Sequence, residues 1–159
     1  MPQQQELVAK AQMLIRRPAG EVFETFADPA ITSRFWFSKG SGRLEPGRTV
    51  RWDWEMYGAW TSDTVKAIER DRRILIEWNG PDNPSLVEWT FEPKESGTFV
   101  IIRNWGFRGD QDKAVASALD SQGGFSFVLS SLKAFLEHGI DLKLIEDHNP
   151  AGVVSGSKG

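Results

Sequence analysis

"RRPAGEVFETFADPAITSRFW", residues 16–36, is the stretch that decides the fold. Pro18 sits where a helix opens, because its fixed φ suits a first turn and its missing N–H is not needed there. Val22, Phe23 and Phe26 follow as an apolar stripe at helical spacing. Asp28-Pro29 breaks that helix, and Pro29 can open a second short one through ITSRFWF, burying Ile31, Phe35 and Trp36. Just upstream, LVAKAQMLIRR at 7–17 alternates loosely, with Ala9, Ala11, Met13 and Ile15 on one side, and reads as a first strand. One strand followed by two short helices in series is already an informative order.

Beyond residue 40 the chain changes character. Gly40, Gly42, Pro46 and Gly47 punctuate a turn-rich stretch with room for a short strand at 42–45. Runs at 49–55, 60–69, 73–78, 86–92 and 98–107 read as strands on short connectors, which predicts an antiparallel meander. Residues 112–138 are helical, with Phe125, Val128, Leu129, Leu132, Phe135 and Leu136 at three-to-four spacing. Asp110 or Asp112 can cap its start, and Gly139 suits a left-handed end. Gly123-Gly124 inside this helix costs about 1 kcal/mol per residue relative to Ala. The expected return is close approach to the sheet or a kink. The predicted fold class is α+β, a helix-grip. A curved antiparallel sheet of 6–7 strands wraps a long C-terminal helix, and two short helices follow strand 1. Residues 1–149 form one domain, and 150–159 are expected to be a disordered tail.

Composition removes several function classes. A formal charge of −3 without a basic stripe argues against a nucleic-acid partner. No cysteine is present, which excludes disulfides, thiolate catalysis and Cys-zinc sites. MPQQQELVAK lacks the cationic and apolar segments of a signal peptide. No apolar run approaches the roughly 20 residues a membrane span needs, so the expected location is cytoplasmic.

The 16–36 motif, with a strand ending before Pro, a Val-Phe helix, then Asp-Pro and Arg-Phe-Trp, resembles the START-like (SRPBCC, Bet v-like) superfamily. Within it, the motif is similar to the branch of activator of heat-shock-protein-90 ATPase homologues. "RRILIEW" at 72–78, "VEWTFEP" at 87–93, "GTFVIIRNWGF" at 97–107 and "GGFSFVLSSLKAFLEHG" at 123–139 fit that branch's later strands and closing helix. The usual Gly-Trp opening of the closing helix reads Gly124-Phe125 here. The resemblance covers about residues 8–140 and implies a sheet that curls round one helix and leaves a hollow. Members include lipid and hormone carriers, cyclases of polyketide synthesis and chaperone co-factors. They share a cavity and not a reaction, so function has to come from the site.

Alternation assigns the walls of that hollow. Val50, Trp52 and Trp54 share a face opposite Arg51, Asp53 and Glu55, while Ile76 and Trp78 oppose Glu77. Trp89 and Phe91 oppose Glu88 and Thr90. On the last strand the family pattern turns Val100, Ile102 and Asn104 inward, leaving Phe99 and Ile101 outside. On strand 60–69, Val65 inward brings Asp63 and Thr61 with it. The expected ligand-binding wall is therefore Trp52, Trp54, Asp63, Val65, Trp78, Trp89, Phe91, Ile102 and Asn104, faced by Phe125, Val128, Leu129 and Leu132. The same rings could equally fill a solid core.

Motifs for chemistry are thin. The only histidines, His138 and His148, fall at a helix end and in the tail, where no triad or metal set assembles. Ser130-Ser131-Leu132-Lys133 matches S-x-x-K without S-D-N or K-T-G, in mid-helix. No catalytic residue, metal or cofactor is therefore assigned. The leading expectation is a domain that binds a small apolar or aromatic molecule. The alternatives are a chaperone-ATPase-activator-like module for a protein partner and a polyketide cyclase/aromatase-type enzyme in which Asp63 or Asn104 moves a proton.

Overall fold

Strand alternation, turn chemistry and one long amphipathic helix assemble as the sequence order predicts in the computed structural model, which describes residues 6–79 and 84–150. The elements are β1 (Ala9–Ile15), α1 (Ala19–Ala27), α2 (Pro29–Thr32), β2 (Lys39–Gly40) and β3 (Thr49–Trp54). They continue as β4 (Ala59–Glu69), β5 (Arg73–Trp78), β6 (Ser85–Lys94), β7 (Gly97–Trp105), α3 (Gln111–His138) and α4 (Leu144–Asp147). The seven strands form one antiparallel sheet in the order β1-β7-β6-β5-β4-β3-β2. A register shift between Val65 and Ala67 bends β4 against β5, the kind of irregularity that helps a sheet curl. Among the described residues no helix is long and apolar enough to cross a membrane. The tail expected to be disordered lies, from residue 151, outside the described residues.

The 16–36 motif folds through one shared residue. The Asp28 N–H closes α1 on the Glu24 carbonyl, while its carboxylate accepts from the Ala30 N–H and starts α2. α2 is shorter than ITSRFWF suggests and stops after a single turn. Thr32 Oγ1 donates to the Thr25 carbonyl at 2.5 Å, tying the helix end back to α1. Phe35, Trp36 and Phe37 then leave the helix and drop into the interior, where all three are buried. The short extra strand forms at Lys39–Gly40, not at 42–45, because it pairs with Trp52 and Asp53 of β3. Gly97 lets the β6–β7 turn nest on the end of β1, since a Cβ there would overlap the Ile15 carbonyl oxygen.

Trp36 is the centre of the core. Its ring lies 5.2 Å from Trp52, 5.8 Å from Trp54, 5.9 Å from Phe125, and 5.9 Å from Trp78, with which it stacks. Phe26 links this cluster to Trp89 and Phe91 at the end that α1 plugs. The edge strand β1 is closed by side chains of α3. Gln122 accepts from the Lys10 N–H, Glu137 accepts from the Arg16 N–H at 2.8 Å, and Lys133 donates to the Leu14 carbonyl at 2.8 Å. Burial alone would raise the Glu137 carboxyl, but the Lys133 ammonium and the Arg16 N–H outweigh it and hold the group below its ordinary range. An unprotected edge would offer free backbone groups to other chains. Here α3 covers it.

Trp36→Ala should therefore cost about 3–5 kcal/mol in urea unfolding, the range for deleting a buried Trp ring. Trp60 is 47% exposed on the outer side of β4, with the Arg51 guanidinium 4.3 Å from its ring centroid. Trp60→Ala should cost only about 1 kcal/mol, the scale of an exposed cation–π contact. Equal losses would contradict a core centred on Trp36.

Candidate ligand-binding cleft

The grip is plugged at one end by α1 and α2 and open at the other. The open end is bounded by the ends of β5 and β7, the start of β6, and the face of α3 from Ala116 to Val128. Between them lies a cleft of about 620 Å³. Its lining includes the apolar Trp36, Trp78, Phe107, Leu119, Phe125 and Phe127 together with polar side chains such as Arg108, Ser117, Asp120 and His148. A volume of that order suits a drug-sized molecule, and mostly apolar, aromatic walls are what such sites present.

The remaining wall is a strap that the sequence reading did not anticipate. After the left-handed cap at Gly139 the chain returns across the mouth and forms α4, with Ile145 buried in the core. Tyr57, beside the β3–β4 hairpin, fastens it by donating its hydroxyl to the Ile145 carbonyl. Burial, with Glu146 and Asp147 close by, pushes the phenol above its usual range and keeps it a donor. His148, expected in an exposed tail, stands on this strap with its ring 5.2 Å from Phe127 and 6.1 Å from Tyr57. One sign was available in the sequence. Phe127 falls off the buried stripe of α3, and an aromatic residue on the open face of an amphipathic helix needs a reason to be there.

Of the residues proposed as a ligand wall, Trp78, Asn104, Phe125 and Val128 line the cleft. Trp52, Trp54, Trp89, Phe91, Val65, Ile102, Leu129 and Leu132 are buried in the core behind it, where Trp36 and its neighbours fill the space. The indole N–H groups of Trp54 and Trp89 have no protein partner there. Ile101, expected on the outer side, is only 6% exposed.

The two polar residues of the expected wall are hydrogen-bonded within the protein. The Asn104 amide donates to Ser85 Oγ at 3.0 Å and to the Leu86 carbonyl at 2.8 Å, and its oxygen accepts from Ser121 Oγ at 2.7 Å. It clamps β7 to β6 and to α3. Asp63 is sealed off, at 0% exposure, with its carboxylate accepting from Thr61 Oγ1 at 2.8 Å and from the Asn79 N–H at 2.9 Å. Asn79 has φ 77°, a left-handed conformation that this bond helps hold at the edge of the cleft. Desolvation pushes the Asp63 carboxyl up to about 7, against the opposing pull of its two hydrogen bonds. Ser130 donates to the Ser126 carbonyl, and Lys133 is committed to Leu14 and Glu137, so the S-x-x-K match is helix packing. Among the described residues no three His, Asp or Glu side chains converge as a metal set would.

The close approach to the sheet expected at Gly123-Gly124 is corrected, since a Cβ built on either meets nothing within 4 Å. Both face the cleft.

A curled antiparallel sheet gripping one helix, plugged at one end and open at the other, defines a START-like helix-grip domain. The chain belongs to the family described as Activator of Hsp90 ATPase homolog 1-like protein, whose model matches residues 16–137. SSP2350 from Staphylococcus saprophyticus is 30% identical, with a TM-score of 0.72 over 85% of this chain and 95% of that one. The Aha1 dimer from Colwellia psychrerythraea is 17% identical, with a TM-score of 0.71 over 83% of this chain and 97% of its own. DynU16, described as a protein in the dynemicin biosynthetic locus, is 19% identical with a TM-score of 0.76 over 86% of this chain. This chain spans 49% of DynU16's length. The last two likenesses are of fold alone. Comparison with curated proteins gives no match.

Asp63 makes a pH prediction. Its folded value near 7 lies above an unfolded value near 3.9, so the native state keeps a proton that the unfolded chain releases. That contribution is fully present below pH 4 and is lost as pH rises through 7. Asp63→Asn keeps the shape and stays neutral, and the Thr61 hydroxyl can reverse its bond to accept from the new amide. The variant should match the parent near pH 4 and exceed it by up to about 4 kcal/mol at pH 8, at about 1.4 kcal/mol per pKa unit. A stability difference that stays flat between pH 4 and 8 in urea titrations would refute the sealed-carboxylate account.

Proposed function

We propose that this protein is a small-molecule-binding module whose ligand, apolar or aromatic, occupies the cleft between α3, the strand ends and the strap. The observation that carries this reading is the opening of about 620 Å³ beside a core that is otherwise filled by rings. Burying ring and aliphatic surface there gains roughly 25 cal/mol per Å² before the costs of association.

The cyclase-type alternative loses the two residues expected to carry it. Asp63 lies outside the cleft, and the Asn104 amide makes three hydrogen bonds to the protein.

The test uses the protein's own fluorophores, because Trp36 and Trp78 both line the cleft. A panel of apolar and aromatic metabolites should contain compounds that quench tryptophan emission and raise the melting temperature. Ala116 lines the cleft and is exposed, so Ala116→Phe should narrow the opening without disturbing the core. It should weaken those compounds at least tenfold with little change in melting temperature of the free protein. Binding that Ala116→Phe leaves intact would put the site elsewhere, and a panel without any binder would sink the reading.

A further inference from the structure

Gly123 and Gly124 stand in the middle of a 28-residue helix, where glycine is less stable than alanine. Three common structural reasons for a glycine are absent here. Neither has the positive φ that would require glycine. Neither lets another element come close, since a Cβ at either position meets nothing within 4 Å. Neither ends the helix, which runs on to His138. What they do is leave the cleft unfilled, because both lie on its wall.

Successive helix residues are separated by about 100° around the axis. Two adjacent missing side chains therefore clear a broad strip of bare backbone and not a single notch. A flexible alkyl chain is about as wide as one side chain and has no use for such a strip. A flat, rigid ring system does, and rings line the same cleft. Phe125 and Phe127 follow the strip along α3, while Phe107 and Trp78 line the cleft from the sheet side. Aromatic rings offer edge and face contacts that favour another ring over a chain of equal area.

We infer that the Gly123–Gly124 step of α3 is the seat of the ligand and selects a flat polycyclic aromatic molecule lying on the bare helix backbone. The inference rests on the cleft being the binding site. It predicts that filling the step improves the free protein and harms binding, opposite signs that a structural role for the glycines would not produce.

The experiment compares 1-pyrenemethanol, flat and polycyclic, with 1-dodecanol, flexible and of similar polarity, on the whole chain. Gly123→Ala and Gly124→Ala combined should raise the melting temperature by about 2–6 °C, as expected for relieving glycine in a helix of a domain this size. Affinity for 1-pyrenemethanol, read from its fluorescence, should fall at least tenfold, while 1-dodecanol, read by competition, should change less than threefold. Ala116→Phe should weaken both. A lower melting temperature would make the glycines structural and overturn the inference. So would unchanged 1-pyrenemethanol affinity, or equal weakening of the two ligands, and in both cases the cleft would remain a binding site. If neither compound binds the parent protein although other apolar metabolites do, the shape assignment fails alone. If no apolar compound of any kind binds, the cleft reading fails with it.

Discussion

One ring determines how the interior is filled. A sheet of seven strands curled round a single helix encloses more volume than that helix can occupy, and protein interiors do not tolerate empty space. Trp36 fills the difference. It enters from the loop after α2 and meets Trp52, Trp54, Trp78 and Phe125, so rings from two strands, the loop and the helix share one contact centre. The early end of α2 matters for this reason. Had the helix continued through Phe35 and Trp36, the ring would have been held on a helix face near the plug. The Thr32-to-Thr25 bond ends the helix in time.

From that centre the two ends of the grip diverge. Towards α1, Phe26 and Phe23 reach Phe91 and close the interior, and buried hydroxyls are paired, with Thr98 donating to the Arg17 carbonyl and Ser131 to the Phe35 carbonyl. Towards the hairpin the helix still holds the sheet, through Ser121 and Asn104, but no plug follows. Among the described residues, the strap and Tyr57 stand across the mouth. Space remains because the rings stop there, at Trp36, Trp78 and Phe125.

Much of this was legible from residue pattern. Alternation placed Val50, Trp52 and Trp54 inward, and the tie between Val65, Asp63 and Thr61 on β4 holds, since all three are buried. Apolar spacing and Gly139 gave the closing helix its extent. Pattern could not say how far each ring reaches. A residue known to point inward may touch the helix, another ring or open space, and the answer depends on Trp36, which arrives from a loop with no periodicity to read. The strap was invisible for a similar reason. Its four-residue helix has too few turns for a periodic signal, and its anchors are a phenol from a distant hairpin and the burial of Ile145. The glycine pair was seen, but its surroundings were not, because a sequence records an absent side chain without recording what the absence faces.

The open end also gathers two features that lower stability. Asp63 is buried at a cost that drives its carboxyl to about 7, and what it holds is Asn79 in a left-handed turn on the cleft's edge. Two helix glycines leave the opposite wall bare. At the plugged end the buried hydroxyls of Thr25, Thr32 and Thr98 are paired, although the Trp89 indole N–H is not. Sequences that fold well are consistent from local propensity to core packing, and departures concentrate where selection acts on something other than stability. Asp63, through Asn79, and the glycine pair both border the cleft, and that placement supports the binding proposed there.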